Sequence, residues 1–216
     1  ASPPWTGDEH YSYNLLEGDD HLYGTCTLET DVESAPGKTR LARLCNDGPN
    51  HDDGSALVDS KTLQPSESQR VIADDSKGKR LVLGGLYEPT TVRLTRDDNG
   101  NKREIQRDLP KADSNSPDPG WYDDEELLWL VRGVPLKKDF EGAFMDVNVG
   151  TAQLVRVEVK VEAQERVKIA AGEFDTWRVR VRTSSVTQMV WVEVAAPHRV
   201  VKARIEALTY ELVPDR

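Results

Sequence analysis

Residues 156–162 read RVEVKVE, residues 177–182 read WRVRVR, and residues 201–207 read VKARIEA. In each stretch, apolar and charged residues alternate one by one. Because successive side chains of a β-strand point to opposite faces, this period of two gives each strand one apolar face and one charged face. Strands of this kind build antiparallel sheets that enclose their own core. The C-terminal third therefore predicts an all-β fold, and it contains little that indicates chemistry.

The rest of the chain shows the same pattern in shorter segments. Strand-like runs are separated by turn-forming residues about every 8–12 residues, as at Asn46–Gly54 and at the Asn99-Gly100 pair. We therefore predict a single domain over residues 9–216, a curled antiparallel sheet or barrel of about a dozen strands. A Pro-rich loose arm is expected at residues 1–8.

One α-helix is predicted near residues 119–132. Asp118 can cap its first turn, Pro119 suits its first position, and the acidic run 123–126 favours the positive end of the helix dipole. Gly133 ends the pattern, because glycine commonly follows the last helical turn. We expect this helix to lie against an open side of the curled sheet.

Composition limits the partners of the protein. Its 216 residues include 28 Lys and Arg against 38 Asp and Glu, a formal net charge of −10 at pH 7. Phosphate backbones and anionic membrane surfaces repel such a chain, so nucleic acid is not an expected partner. No apolar run approaches the ~20 residues that cross a bilayer, so a transmembrane helix is not expected. The sequence begins at Ala1, as in an exported protein after removal of its signal peptide or in a sequence cut at an arbitrary boundary.

The two cysteines, Cys26 and Cys45, lie on strand-like runs joined by a turn at residues 34–38. A hairpin about Pro36-Gly37 places them opposite each other or one diagonal step apart, within reach of a disulfide. A bridge closing about 20 residues would contribute ~3 kcal/mol and would indicate an oxidising compartment. The alternative is a pair of buried thiols in a cytosolic protein. The hairpin and the lack of other cysteines favour the bridge.

Residues that could carry catalysis or bind a metal are scattered. The four histidines, at positions 10, 21, 51 and 198, show no metal-ligand spacing, and the stretch His51-Asp52-Asp53 is typical of a solvated loop. The sequence has no Gly-x-Ser-x-Gly elbow, no dinucleotide-binding glycine motif and no phosphate-binding loop. We therefore expect no metal, no cofactor and no catalytic residue, and we predict that the protein is not an enzyme.

Aromatic residues are the best candidates for a ligand site. Trp129 lies in the predicted helix, and Trp177 and Trp191 lie on neighbouring C-terminal strands. If the helix lies across one mouth of the barrel, these three would line a ligand pocket, with Leu128 and Val131 packed beside them. The alternative is that the tryptophans fill the core of a closed barrel and leave no cavity.

Four stretches together resemble a known family. They are residues 58–65 (VDSKTLQP), 126–136 (ELLWLVRGVPL), 171–179 (AGEFDTWRV) and 191–202 (WVEVAAPHRVVK). In their order and spacing they are similar to the exported bacterial family known as domain of unknown function 3108, over roughly residues 9–212. The resemblance implies an envelope or secreted location and a curled antiparallel β fold, lipocalin-like or lipoprotein-carrier-like. It supplies no catalytic motif.

The residues and the resemblance predict an exported, non-enzymatic protein of the cell envelope, the periplasm or the extracellular space. The leading hypothesis is that it binds a hydrophobic or amphipathic ligand, a small molecule or lipid, in the barrel cavity. The alternative is a structural or protein-interaction module with a filled barrel and an exposed edge. A dry cavity would favour the first function, and an apolar surface patch would favour the second. Nothing in the sequence identifies a protein partner.

Overall fold

The computed structural model describes residues 2–18, 21–111 and 120–214. Asp118 and Pro119, at the predicted start of the helix, lie outside these ranges. Within them, the chain forms fifteen β-strands of one sheet, two 3₁₀ turns and one α-helix. The all-β fold predicted from the alternating residues is confirmed, with more strands than the dozen expected.

The strands are β1 (Glu9–Glu17), β2 (His21–Ala35), β3 (Lys38–Asp47), β4 (Asn50–Asp59), β5 (Pro65–Asp74), β6 (Lys79–Tyr87), β7 (Thr91–Asp98), β8 (Asn101–Asp108), β9 (Trp121–Asp123), β10 (Glu141–Asn148), β11 (Gln153–Ile169), β12 (Gly172–Arg182), β13 (Thr187–Glu193), β14 (Val200–Ile205) and β15 (Leu208–Leu212). The 3₁₀ turns are Asp75–Lys77 and Asp124–Glu126, and the helix α1 is Leu127–Gly133. The order in the sheet is β8-β7-β6-β5-β4-β3-β2-β1-β15-β14-β13-β12-β11-β10-β9. Neighbours pair antiparallel except β9 and β10, which are parallel.

The sheet curls around α1 and has two different ends. Because successive strands run in opposite directions, the turns at residues 48–49, 149–152, 183–186 and 206–207 lie at one end, which we call the mouth. The start of β1 and the connection at residues 194–199 lie at the other end, which we call the closed end. The helix runs from the mouth side towards the closed end.

The two edges of the sheet, at β8 and β9, are joined by side chains and not by backbone hydrogen bonds. The ring of Tyr87 on β6 stacks on the ring of Trp121 on β9, with centroids 5.4 Å apart. The Nε of Arg107 on β8 donates to the backbone carbonyl of Ala152 at 3.0 Å. The sheet is therefore barrel-like but open, because β8 and β9 do not pair with each other.

The alternation in the C-terminal strands separates core from surface as predicted. Val157, Val159 and Val161 are 1%, 3% and 0% exposed on the inner face of β11. On the outer face, Arg178 pairs with Glu162 at 3.1 Å between partly exposed side chains. Exposed pairs of this kind contribute only ~0.2–1 kcal/mol each, so the stability of these strands comes mainly from the inner valines.

The helix begins at Leu127, several residues later than the sequence predicted. The backbone of Trp121–Asp123 is already paired with β10 and cannot make helical hydrogen bonds at the same time. A capping box then starts the turn that leads into the helix. Asp123 Oδ1 accepts from the backbone N–H of Glu125 at 2.9 Å, and Glu126 Oε1 accepts from that of Asp123 at 2.8 Å.

Cys26 of β2 and Cys45 of β3 are directly opposed and form a disulfide, with Cα atoms 4.1 Å apart. The hairpin between them turns after Ala35, close to the predicted Pro36-Gly37 position. Both cysteines are buried, at 1% and 5% exposed. The bridge therefore links the strands of this hairpin within the core.

Arg132 of α1 fills the closed end. Its Nη1 lies 2.8 Å from Oε2 of Glu9, and the two side chains are 3% and 7% exposed. Its Nε donates to the carbonyl of His198 at 2.9 Å, and its Nη2 donates to that of Pro197 at 3.0 Å. The guanidinium also lies 5.4 Å from the ring of Trp5, which is buried and anchors residues 2–8.

A double-mutant cycle on Arg132 and Glu9 measures how strongly the closed end depends on this pair. Arg132→Met alone should lower the free energy of unfolding by about 3–5 kcal/mol, because the Glu9 carboxylate is left buried and unpaired. Arg132→Met combined with Glu9→Gln should cost much less than the sum of the two single losses. Urea unfolding followed by tryptophan fluorescence gives these free energies.

The control is the exposed pair Arg166 and Asp175, whose Nε and Oδ1 atoms are 3.1 Å apart. Each pair joins an arginine to a carboxylate, but the first pair is buried and the control pair is exposed. The comparison therefore shows how burial affects the coupling energy. The coupling energy of the control should be ~0.2–1 kcal/mol. A coupling equally small for Arg132 and Glu9 would show that this pair does not hold the helix in place.

Candidate ligand cavity at the mouth of the barrel

The turn before α1 carries Glu125 into the barrel interior. Its Oε2 lies 3.3 Å from Nη2 of Arg43 on β3, and its Oε1 lies 3.8 Å from Nε of Arg70 on β5. Gly54 on β4 makes this approach possible, since a Cβ at that position would lie 1.7 Å from Oε2 of Glu125. The lack of a side chain at position 54 thus allows the turn to pack against the sheet.

Asp52 completes an ion cluster with Arg43, Arg70 and Glu125. Arg70 donates to both oxygens of Asp52, from Nε at 2.8 Å and from Nη2 at 2.7 Å. Burial opposes ionisation of Asp52, but the hydrogen bond from Arg70 and the charge of Arg43 outweigh it, so the pKa of Asp52 is lowered. Burial raises the pKa of Glu125, although both arginines oppose this shift.

A cavity of about 340 Å³ lies beside the ion cluster at the mouth. Its apolar wall includes Leu127, Leu128, Trp129, Val155, Val157, Val186 and Ile205. Its polar wall includes Arg43, Asp52, Arg70, Asp124, Glu125, Asp146, Asn148 and Gln188. Small-molecule sites typically enclose ~300–1,000 Å³ and combine apolar walls with a few polar groups, so this cavity has the size and chemistry of a ligand site.

A second cavity of about 560 Å³ opens at the same end and meets the first at Arg43, Asp52 and Tyr210. Several of its lining residues at strand ends, including Lys79 and Asn99, are exposed. It is therefore a groove along the rim of the barrel. We assign the candidate site to the smaller cavity, because strands from both halves of the sheet and the helix enclose it.

Two side chains of the smaller cavity have polar atoms without a hydrogen-bond partner in the part of the chain that the structure describes. They are Oδ1 of Asp146 on β10, a residue 6% exposed, and Oε1 of Gln188 on β13. The neighbouring Asp124 is bonded: Asn148 Nδ2 donates to it at 2.9 Å, and the backbone N–H of Val149 donates at 3.3 Å. Buried polar atoms are normally paired, so the two unpartnered acceptors indicate where a ligand would bind.

Four carboxyl groups crowd together near this side of the cavity: Asp124 and Asp146 line it, and Asp123 and Glu126 are both 0% exposed. Loss of solvation raises the pKa of Asp123, and it raises the pKa values of Asp124, Glu126 and Asp146 well above their ordinary range. Repulsion from Asp123 adds to the pKa shifts of the other three. The cluster of four acids therefore favours their uncharged forms.

Trp129 and Leu128, two of the predicted ligand-binding residues, line the smaller cavity. Trp129 is 2% exposed, and its Nε1 donates to Oγ1 of Thr30 at 2.9 Å, so it forms part of the floor. Val131 is 0% exposed and packs in the main core, outside the lining of the cavity. Ligand binding by these residues stays a prediction.

The two strand tryptophans lie elsewhere. Trp191 alternates with Val190 and Val192, which are both 0% exposed, so its side chain lies on the outer face. There its Nε1 donates to Oε1 of Glu165. Trp177 packs half-buried against the main core. The structure does not bring either tryptophan together with Trp129 at the cavity.

Arg43 and Asp146 were not predicted as site residues, although the alternation along their strands indicates that both share the inward face with apolar residues. Leu41 and Cys45, two positions to either side of Arg43, are 0% and 5% exposed. Phe144, two positions before Asp146, is 7% exposed. A charged residue that shares the inward face of a strand with buried apolar residues indicates a buried partner or a site.

Neither a metal cluster nor a membrane helix is found in the ranges that the structure covers. No three His, Cys, Asp or Glu side chains among those residues are grouped so as to hold a metal ion. None of the helices in the same ranges has the length and hydropathy that crossing a membrane requires.

Glu126→Gln should raise stability at neutral pH. Glu126 is 0% exposed, and burial raises its pKa well above the ordinary value of 4.5. Below pH 4.5 the group is protonated in the folded and the unfolded chain alike. As the pH rises, the unfolded chain loses this proton while the folded chain keeps it, so stability falls until the pKa of the folded state is reached. The glutamine variant does not suffer this loss.

Urea unfolding between about pH 4 and pH 8 measures the effect, and the gain from Glu126→Gln should be absent at the acidic end and grow with pH. Glu141→Gln is the control on an exposed residue of β10. A hydrogen bond from Lys160 lowers the pKa of Glu141, so its removal should have a small effect of opposite sign. A gain in stability for Glu126→Gln that did not vary with pH would contradict the raised pKa of Glu126.

Comparison with solved structures supports the fold. The chain is similar to a beta-barrel-like protein of domain of unknown function DUF1849 from Brucella abortus, with a TM-score of 0.55, 10% identity and 95% of each chain covered. It also aligns with a protein described as exported, with a YmcC-like fold, from Bacteroides fragilis. That match has 14% identity and covers 99% of this chain and 97% of the other, but its TM-score of 0.31 is too low to support a conclusion.

The sequence comparisons identify the family and no individual relative. A search of curated proteins finds no match. The profile of the family described as protein of unknown function (DUF3108) matches residues 35–209. This match covers most of the chain and includes the four stretches whose resemblance to that family was noted from the sequence. The chain belongs to the DUF3108 family.

Proposed function

We propose that the protein is an exported, non-enzymatic binding protein that holds an amphipathic ligand in the smaller cavity at the mouth. The observation that carries the proposal is the composition of this cavity, in which an apolar wall faces a polar wall with unpartnered acceptors. An apolar chain against Leu128, Val155 and Val157 would remove apolar surface from water. A polar end group would supply the missing hydrogen bonds.

The contrast between the two ends of the barrel supports this proposal. At the closed end, the guanidinium of Arg132 is bonded to Glu9 and to two backbone carbonyls, and its packing is complete without a ligand. At the mouth, Asp146 and Gln188 keep unpartnered acceptors beside an open volume. A barrel with a purely structural role would gain stability by filling both ends in the same way.

Export is supported by the bond between Cys26 and Cys45. The cytosol keeps thiols reduced, so a buried disulfide between neighbouring strands favours an oxidising compartment. The periplasm, the wider cell envelope and the extracellular space meet this condition. In any of them, a binding protein would meet amphipathic molecules of the envelope.

The alternative function is a structural or protein-interaction module. The filled core around α1 favours it, and so does the exposed edge strand β8, where Ile105 is 39% exposed. The same strand carries Lys102, Arg103 and Glu104, and charged side chains on an edge strand protect it against pairing with other chains. The edge therefore supports the alternative less strongly than the cavity supports ligand binding.

Val155→Phe tests the proposal by filling the cavity. Val155 lines the cavity, whereas the next residue of β11, Arg156, is 60% exposed and offers a matched control, Arg156→Phe. The probe is N-phenyl-1-naphthylamine, a neutral apolar fluorophore whose emission rises on burial. We expect the wild type to bind it at micromolar concentrations and Val155→Phe to weaken binding by about tenfold or more, because the added ring occupies the site. Arg156→Phe should leave the affinity unchanged.

Circular dichroism melting establishes that both variants are folded. Trp129 is a less useful target, because it is 2% exposed and its truncation would open the core. Two results would overturn the proposal and make the structural module the leading function. One is that the probe does not bind the wild type, and the other is that a folded Val155→Phe variant binds it as tightly as the wild type.

A further inference from the structure

We propose that the polar end of the ligand is a cation, a protonated amine, and that Asp146 binds it with Asp124 beside it. This inference rests on the proposed function, because it names the chemistry of the ligand that the smaller cavity takes. Three observations carry it. They are the excess of acidic over basic side chains in the cavity wall, the position of Asp146, and the kind of atom that is left unpartnered.

Acidic side chains outnumber basic side chains around the cavity. Its carboxyl side chains are those of Asp52, Asp124, Glu125, Asp146 and Glu206. Its two cations, Arg43 and Arg70, are both paired with Asp52 and Glu125 at 2.7–3.8 Å. Across the described parts of the chain, no Lys, Arg or His forms an ion pair with Asp124 or Asp146. A cation that enters the cavity would therefore meet carboxyl groups that no protein cation has neutralised.

Asp146 has the position of a ligand-binding group. It shares the inner face of β10 with Phe144, is 6% exposed, and has a buried Oδ1 that no described residue hydrogen-bonds. Asp124, in contrast, already accepts hydrogen bonds from Asn148 and Val149. A buried carboxyl group without partners lowers stability, and nothing in its surroundings within the described chain offsets that cost. An ammonium group would supply both the missing donor and the missing charge.

Among the residues that the structure describes, the two unpartnered atoms at the cavity are both acceptors, Oδ1 of Asp146 and Oε1 of Gln188. A carboxylate ligand would bring further acceptors, and an alcohol would bring one donor without charge. A primary ammonium brings three N–H donors and a positive charge, which matches the two acceptors and a carboxyl group that can ionise beside it. The amine is therefore the end group that fits this wall best.

Binding of an amine should release a proton. Burial and the charges of Asp123 and Glu125 raise the pKa of Asp146 well above its ordinary value, so the empty cavity favours the protonated acid. A nearby ammonium favours the carboxylate, and one proton then passes from Asp146 to solvent as the ion pair forms. The titratable groups that face Asp146 are all acids: Asp123 on β9, and Asp124, Glu125 and Glu126 in the following turn. Two cations, Arg43 on β3 and Arg70 on β5, lie beyond Glu125.

Isothermal titration calorimetry with n-octylamine, 1-octanol and octanoate at neutral pH tests the inference, because these ligands share one chain length. We expect octylamine to bind about tenfold more tightly than octanol or better, since its hydrogen bonds are charge-assisted, and octanoate to bind most weakly. The titrations are repeated in phosphate and in Tris, whose heats of ionisation differ. They should show net proton release for octylamine and none for octanol.

Asp146→Asn preserves the size of the side chain and removes its charge. The variant should bring the affinity for octylamine down to that for octanol and abolish the proton release. Glu141→Gln, on the same strand but exposed, should change none of these values. If Asp146→Asn does not fold, the order of the three ligands on the wild type and the number of protons released still decide the question.

The outcomes separate the inference from the proposed function. Equal binding of octylamine and octanol, or tightest binding of octanoate, would overturn the amine assignment and leave the proposed function standing. If none of the three ligands binds and N-phenyl-1-naphthylamine does not bind either, the proposed function fails and the inference fails with it.

Discussion

Glu125 and Arg132, two buried groups of the segment at residues 121–133, form ion pairs with the sheet, and the interior of the barrel is arranged around these pairs. Glu125 lies between Arg43 and Arg70 near the mouth, and Arg132 pairs with Glu9 at the closed end. Removing the partner of a buried charge costs about 3–5 kcal/mol, so these contacts fix the depth and rotation of α1. A seven-residue helix is not stable alone in water, and its stability comes from these contacts and from its buried apolar side chains.

The same constraint produces the cavity. Because Glu125 packs against the sheet at Gly54, the turn stays near the mouth, and the space between it and strands β11–β13 is not filled by side chains. This placement also brings Asp123, Glu126 and Asp146 together away from water, where each pKa is raised. Crowded acids that have no cationic partner among the described residues lower stability, and proteins commonly accept such a cost at functional sites. The closed end shows no comparable cost among its described residues, which is the physical reason for placing the function at the mouth.

Local sequence patterns predicted the parts of the structure that depend on neighbouring residues. The alternation assigned the inner valines and the outer arginines, and the turn at Pro36-Gly37 placed Cys26 opposite Cys45 or one diagonal step away, of which the structure has the first. The start of the helix and the ion cluster depend on distant contacts. Strand β9 pairs with residues 145–147, and Arg43 meets Glu125 from 82 residues away, so no local pattern contains either contact. The outer position of Trp191 could have been predicted, since it alternates with two buried valines.

The central claim is that the smaller cavity binds an amphipathic amine with its ammonium group at Asp146. The most direct test is a set of nuclear Overhauser effects between n-octylamine and the methyl groups of the protein. We predict contacts from the octyl chain to the methyl groups of Leu128, Val155 and Val157, which line the apolar wall. The carboxyl carbon signal of Asp146 should move at the same time to the position of the ionised form. Contacts confined to the rim groove at Leu81, or an unchanged Asp146 signal in the saturated complex, would contradict the claim.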